Sequence, residues 1–466
     1  MADGRKDIFS IKNCMLVALA GVALSACTNP QNGREEAGGV TYEANGATGK
    51  AISVDKSRAH GARISFTEAI KKALAVDPEI GVAQAQLDGA KAQVDIEEAN
   101  TRPVVDLVAT TGKENTYPEG PNTYGANRSE LTLSIEQTLY DFGATKAGVD
   151  RRAAQASSVE LRKRDTMESI ALETVFAYID YLRQSELVSA SRRNTRNHQR
   201  IADLVILNEQ GGNATKADVN RANTRVEAAK SSLLDAQNAR EDAIVGFRRL
   251  TGLRPESVKV PKRLAPVRQT KSRSASKAAI LLNPELQSLE RDRVAFERQL
   301  AQQRAAIKPR VFLRGEGNYN ENVGGETGTN SDVRGVIGVN VRLYSGGARR
   351  AQLRQTEARI REARESYRAK LRDLEQNTEE VNQTLETAAE NSAFVNERFR
   401  TANDGLQLFQ QQFEAGERTA FELLDAQRDL FQAETELINN RYQFASSIYE
   451  ELRLRGNLVA TLLSGL

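Results

Sequence analysis

The sequence predicts a mainly α-helical chain with a small amount of membrane β-structure, built by internal tandem duplication. Three observations predict it. Landmarks recur at one offset: Gly212 and Gly416 stand 204 positions apart, as do Thr215 and Thr419, Tyr140 and Tyr344, and Gly252 and Gly456. Two stretches alternate between apolar and polar residues. The composition, 5% aromatic and without tryptophan, favours long helices with small-residue packing over a broad globular core. A period this long means duplicated domains, because solenoid units run to about 20–50 residues.

Charge and reactive residues narrow the function. The 65 basic and 62 acidic residues nearly cancel, so nothing points to a nucleic acid. His60 and His198 are far apart, and the two cysteines, Cys14 and Cys27, both fall near the start of the chain. These residues make neither a metal cluster nor a Cys–His pair, so the expectation is no enzyme, no metal and no cofactor.

Residues 1–27 read as a secretory signal. Arg5, Lys6 and Lys12 precede a short apolar run, Cys14 to Leu24, too short to span a bilayer. The run ends Leu24-Ser25-Ala26-Cys27, which resembles the bacterial lipoprotein box and makes Cys27 the expected lipidation site. Thr28 stands where the inner-membrane retention signal of that class would place Asp, which implies the outer membrane. Residues 28–63 are polar and aperiodic, a tether of about 30–36 Å root-mean-square length.

Residues 64–253 and 278–466 form the first and second repeats. Asp77-Pro78 and Asn283-Pro284 each set an N-cap before a first-turn proline. These helices end near Pro103 and Pro309. The period then changes to two: Leu131, Leu133 and Ile135 alternate with Thr132, Ser134 and Glu136, and Val333, Gly335, Ile337 and Val339 with Arg334, Val336, Gly338 and Asn340. Val104–Lys113 and Val311–Tyr319 are the partner strands, joined through polar loops at 114–128 and 320–332. Strands of about ten residues with one apolar face match transmembrane β-strands, although soluble hairpins share the pattern.

After each Leu-Tyr-x-x-Gly the sequence predicts a helix of about 65–70 residues, close to 100 Å, with Asp141 and Ser345 as N-caps. Two apolar stripes, Met167-Ile170-Thr174-Ala177-Tyr181-Val188 and Leu172-Val175-Ile179-Leu182, imply neighbours on two sides. The long helix ends at a tip. Gly212 and Gly416 suit a left-handed C-terminal turn, and Thr215 and Thr419 are N-caps for return helices ending near Leu250 and Leu454. The return helix and the proline-bounded helix, laid end to end, nearly match the long one and form one wall beside it. Between the repeats, 254–277 is a basic connector with three prolines, expected to run outside that wall.

Taken together, the duplicated helix–strand–strand–long helix–return helix units, Leu139-Tyr140-Asp141-Phe142-Gly143 and the Gly-x-x-Thr tips resemble the TolC family of outer-membrane efflux and secretion proteins, over about residues 64–466. The resemblance implies a homotrimer in which four strands per chain build a 12-stranded barrel in the outer-membrane lipid. It also implies a long helical tunnel crossing the periplasm. A periplasmic adaptor (membrane-fusion) protein and an inner-membrane ABC or proton-driven pump would dock at the far end. By position after the tip glycine, Arg418, Glu422 and Asp425, with Asp218 in the first repeat, match the family's periplasmic gate. Phe413 stands where a hydrogen-bonding tyrosine is expected, and Ala217 where a threonine occurs. A capping box accounts for Glu422 without any gate.

The expected function is a passive exit duct for type I protein secretion or multidrug efflux, the Leu-Tyr-Asp-Phe-Gly style leaning toward secretion. The alternative is a periplasmic adaptor or scaffold with long α-hairpins, for which one hairpin and compact β-domains would be expected. A hydrolase has little support, since no histidine lies near a plausible nucleophile.

Overall fold

The computed structural model describes residues 64–116, 124–261, 265, 278–324 and 327–464. Cys27, the signal, the tether and most of the connector lie outside the described residues.

In chain order the elements are α1 (Phe66–Val76), α2 (Pro78–Ala99), β1 (Val104–Thr116), β2 (Tyr124–Tyr140), α3 (Ala144–Gln210) and α4 (Lys216–Thr251). The second repeat supplies α5 (Pro284–Ala305), β3 (Arg310–Glu321), β4 (Thr329–Asn340), α6 (Ala348–Glu414), α7 (Ala420–Leu454) and α8 (Leu458–Leu463). Both long helices are 67 residues. Among the described residues no helix is long and apolar enough to cross a membrane, so any membrane role rests on the sheet.

The long helices start two residues later than their expected caps. Phe142 and Gly143 have φ of 56° and 85°, and Gly346 and Gly347 have 60° and 84°. This pair of left-handed residues reverses the chain, so Gly143 and Gly347, not Asp141 and Ser345, occupy the cap positions. Phe142 is the costly member, since a side chain crowds that conformation. Asp141 still serves the helix from a distance: its carboxylate accepts from the Gly143 amide at 3.0 Å and the Thr145 amide at 2.6 Å.

α3 lies between α2 and α4 on one flank and α5 and α7 on the other, whereas among the described residues α6 packs mainly on α5 and α7. The expected end-to-end wall is present where α7 meets α5. Asn283 caps α5 by accepting from the Glu285 amide at 3.0 Å, and its amide nitrogen donates to the Leu454 carbonyl at the end of α7, also at 3.0 Å. Gly456 fits there because a β-carbon would meet Pro284 Cδ at 2.4 Å.

The main core lies at mid-height on α3. Ala171, Val175, Tyr178 and Leu182 meet Phe66 and Ile70 of α1, Phe247 of α4, Tyr449 of α7 and Leu458 of α8. Glu168, also buried there, accepts from the Leu458 and Val459 amides at 2.9 and 3.3 Å. The connector begins against this core: Ile64 and Val258 form a parallel bridge, and Ala265 packs beside both Tyr178's cluster and that of Val381 and Leu385.

The sheet is antiparallel in the order β1-β2-β3-β4, leaving β1 and β4 as edges. Its strands run further into the polar segments than the alternation suggested. β1 reaches Thr116 and β2 begins at Tyr124. Cross-strand pairs such as Arg128–Glu114 at 3.2 Å carry the ladder where apolar alternation has ended.

Candidate functional site: the hairpin tips and the two faces of the sheet

At the tips, both glycines have φ of 78°. The Asn213 amide reaches back to the Asn208 carbonyl and Glu417 to Gln412, each at 2.8 Å. These six-to-one bonds close the long helices in Schellman fashion. Thr215 and Thr419 then open α4 and α7 with complete capping boxes. Asp218 accepts from the Thr215 hydroxyl at 2.7 Å and its amide at 3.0 Å; Glu422 accepts from both groups of Thr419 at 3.0 Å. The Thr215 hydroxyl and then its amide hold the Asp218 carboxyl below the usual carboxylate range. The Thr419 amide, followed by Arg418, does the same for Glu422.

The four candidate gate residues therefore have local partners within one chain. Arg418 bonds Glu422 at 2.6 Å and Gln412 across the turn at 3.0 Å, and lies over the Phe409 ring at 4.7 Å. Asp425 pairs with Arg428 at 3.2 Å. Sequence reasoning missed Gln412, Phe409 and Arg428; only Arg428, three residues after Asp425 on the same helix, was signalled by its spacing. Phe413, where a tyrosine was expected, is 5% exposed and packs with Ile201, Val205, Leu423 and Leu424. This cluster joins the two tips of one chain, and a hydroxyl there would need a partner. Arg221 lies over Phe421 at 5.0 Å, a second contact between the hairpins.

At the other end, the register sorts the sheet into two faces. Val105 opposes Ile135, and Leu107 opposes Leu133; Leu313 opposes Ile337, and Val311 opposes Val339. Glycines 315 and 317 complete this apolar face opposite Ile135 and Leu133. It is open to the surroundings, Ile337 being 71% exposed. The other face pairs Glu136 with Arg314 and Glu316 with Arg334, at 2.5 and 2.6 Å, and Thr132 donates to Asn318 at 2.9 Å. A sheet with one mainly apolar face, one ion-paired face and two edge strands has the pattern of a lipid-facing wall. Two long hairpins with this single sheet do not match an adaptor of one hairpin and compact β-domains. Among the described residues no group of His, Cys, Asp and Glu could hold a metal.

The family model for outer membrane efflux proteins matches the chain twice, over residues 69–253 and 275–453. The chain is 25% identical to the alkaline protease secretion protein AprF of Pseudomonas aeruginosa, over 68% of this chain and 67% of that protein. It is 21% identical to the outer membrane protein TolC of Vibrio cholerae, over 84% and 91%. Among solved structures, the outer membrane protein VceC of Vibrio cholerae superposes with a TM-score of 0.74 at 17% identity, covering 84% of this chain and 95% of that one.

Proposed function

The chain belongs to the outer membrane efflux protein family, and we propose that it is the outer-membrane exit duct of a tripartite export system. The observation that carries this reading is the sheet. Lipid does not tolerate free strand edges, so β1 and β4 must pair with something. Four strands do not close a barrel, and bacterial barrels start near eight. Copies of the chain supply the missing strands, three of them making twelve, with the apolar face toward lipid and the ion-paired face toward the lumen. The helices continue the lumen through the periplasm, and energy comes from an inner-membrane pump linked by an adaptor. AprF, named for protease secretion, supports a protein cargo. Lipidation at Cys27 and two repeats joined by an outer connector complete the proposal.

The tips are the proposed periplasmic gate. Three copies would bring Glu422 and Asp425 round one axis, with Arg418 and Asp218 available to bridge neighbouring hairpins. Exposed pairs are individually worth about 0–1 kcal/mol, which suits a gate opened by a docking adaptor. Because Asp218 and Glu422 also cap helices, the test must separate charge from capping. Single-channel recording should show cation preference. Arg418→Ala combined with Asp218→Asn should raise resting conductance, and Asp425→Ala with Glu422→Gln should weaken selectivity while keeping the cap. Unchanged current and selectivity in all of them would locate the gate elsewhere.

A further inference from the structure

A cavity of about 620 Å³ opens where the strands meet the helices. The strand residues that line it, among them Asp106, Glu136, Arg310 and Asn340, all belong to the ion-paired face of the sheet. If the chain forms the proposed duct, the cavity therefore opens into the lumen.

Five cations reach this cavity: Arg102, Lys308, Arg310, Arg342 and Arg349. Nearly every acid beside them is already engaged. Glu97 lies 3.6 Å from Arg151 and 3.9 Å from Arg152. Glu136 is shared by Arg310 and Arg314. Asp141 is held by the Gly143 and Thr145 amides. Only Asp106 remains to balance the rest. Arg102 and Arg342 make no ion pair among the described residues. Arg349 donates to the Arg342 carbonyl at 3.0 Å, and Lys308 rests over the Phe142 ring at 5.2 Å.

The duplication supplies an internal control. The turns before α3 and α6 have nearly the same dihedral angles, and the same backbone bond closes both: Ala144 to the Asp141 carbonyl at 3.2 Å, Ala348 to the Ser345 carbonyl at 3.1 Å. In the first repeat a carboxylate from Asp141 sits on the starting amides. In the second, Ser345 replaces that aspartate, Arg349 replaces Thr145, and α6 begins without a side-chain cap. The positive end of a long helix and its arginine thus lack the carboxylate that the twin turn carries.

We propose that this cavity binds an oxyanion, a carboxylate or phosphate group on solutes in the lumen, with Arg342 and Arg349 as its principal ligands and Arg102 and Lys308 supporting them. Guanidinium groups grip such anions through paired charge-assisted hydrogen bonds. Three copies would ring the membrane end of the lumen with cations, opposite in sign to the acids of the tips.

Citrate and inorganic phosphate titrated calorimetrically into the full-length protein in detergent test this without requiring conduction. Binding should weaken with added salt. Arg342→Gln with Arg349→Gln should weaken it about tenfold or more, as expected for lost charge-assisted bonds. Ser345→Asp should do the same, because it gives the second turn the carboxylate that the first turn folds with. Arg350→Gln, adjacent but not lining the cavity, should leave the affinity unchanged. In bilayers, citrate should reduce single-channel current in the wild type and much less in these variants. No binding at about 10 mM, ten times a millimolar Kd, overturns the proposal. So does an affinity indifferent to both Ser345→Asp and the arginine pair, which would mean an adventitious ion only. Binding that follows the variants in a protein that never conducts supports the site and counts against the duct alone.

Discussion

The helices α3 and α6 follow the same turn, run for the same length and lead to the same kind of tip, yet α3 buries nineteen of its residues and α6 nine. The loss is concentrated on one side. Ile170 and Thr174 of α3 recur 204 positions later as Leu374 and Thr378, buried in both helices. Ala171, Val175 and Leu182, also buried in α3, recur as Glu375, Glu379 and Glu386, all exposed. On α3 this second stripe is covered by α1 and α8, through Phe66, Ile70 and Leu458. Among the described residues no such layer covers α6. A position's chemistry thus follows the neighbour it meets in the folded chain rather than its place in the repeat.

Exchanging the residues of this stripe between α3 and α6 should have large and unequal effects. Leu182→Glu, which puts the residue of α6 into α3, removes leucine contacts worth about 2–5 kcal/mol and buries an unpaired carboxylate besides. It should abolish assembly or lower the melting temperature severely. The reverse change, Glu386→Leu, should alter stability by no more than about 0.5 kcal/mol. Thermal unfolding of both variants in detergent is the measurement. Comparable losses would mean that the outer layer is not what separates the helices.

This difference also explains what the sequence could and could not tell. The duplication, the lengths of both long helices, the glycine tips, the threonine caps and the wall made by α5 and α7 were legible, because each rests on local signals: φ > 0, capping side chains, proline positions and periodicity. The cap positions at Gly143 and Gly347 were not. Asp141 and Ser345 are good capping residues, and the two left-handed residues that displace them include Phe142, which no propensity rule would place there. The outer ends of the strands were hidden because cross-strand ion pairs, not alternation, extend them. At the candidate gate, the capping boxes could be read directly, whereas the Arg418–Gln412 bond spans a turn and needs the fold. The cationic cavity was missed although a signal existed: Ser345 and Arg349 standing where the first repeat has Asp141 and Thr145.

A smaller effect is expected at the flank of α6. Ala190 is fully buried on α3, and its counterpart on α6 is Phe394, 73% exposed in the single chain. A phenylalanine left open where the twin helix is closed fits a surface covered by another copy. Phe394→Ala should then weaken the assembled protein by about 1.5–3 kcal/mol per subunit, read as a lower dissociation temperature of the oligomer on semi-native gels. Helix content of the separated chain should not change. An oligomer that dissociates at the wild-type temperature would show that α6 stays open on this side.

The smallest expected effect concerns a group that only α3 possesses. His198 is 5% exposed, its Nδ1 is buried without a hydrogen-bond partner, and its counterpart on α6 is Ala402. Burial, with added repulsion from Arg225, lowers its pKa to about 4. In the unfolded chain an ordinary histidine takes up its proton near pH 6.5. Between these values the unfolded state binds more protons than the native one, so stability must fall as pH falls. The loss is at most about 1.4 kcal/mol per pH unit per histidine, and none is expected above pH 6.5. Melting temperatures measured from pH 7.5 to 4.5 should therefore separate wild type from His198→Gln only below about pH 6.5, with wild type the more acid-sensitive. Carboxylates common to both proteins cancel in that difference. Parallel curves over the whole range would mean that His198 titrates alike in the folded and unfolded chains, and that this buried stretch of α3 is as accessible to protons as the open side of α6.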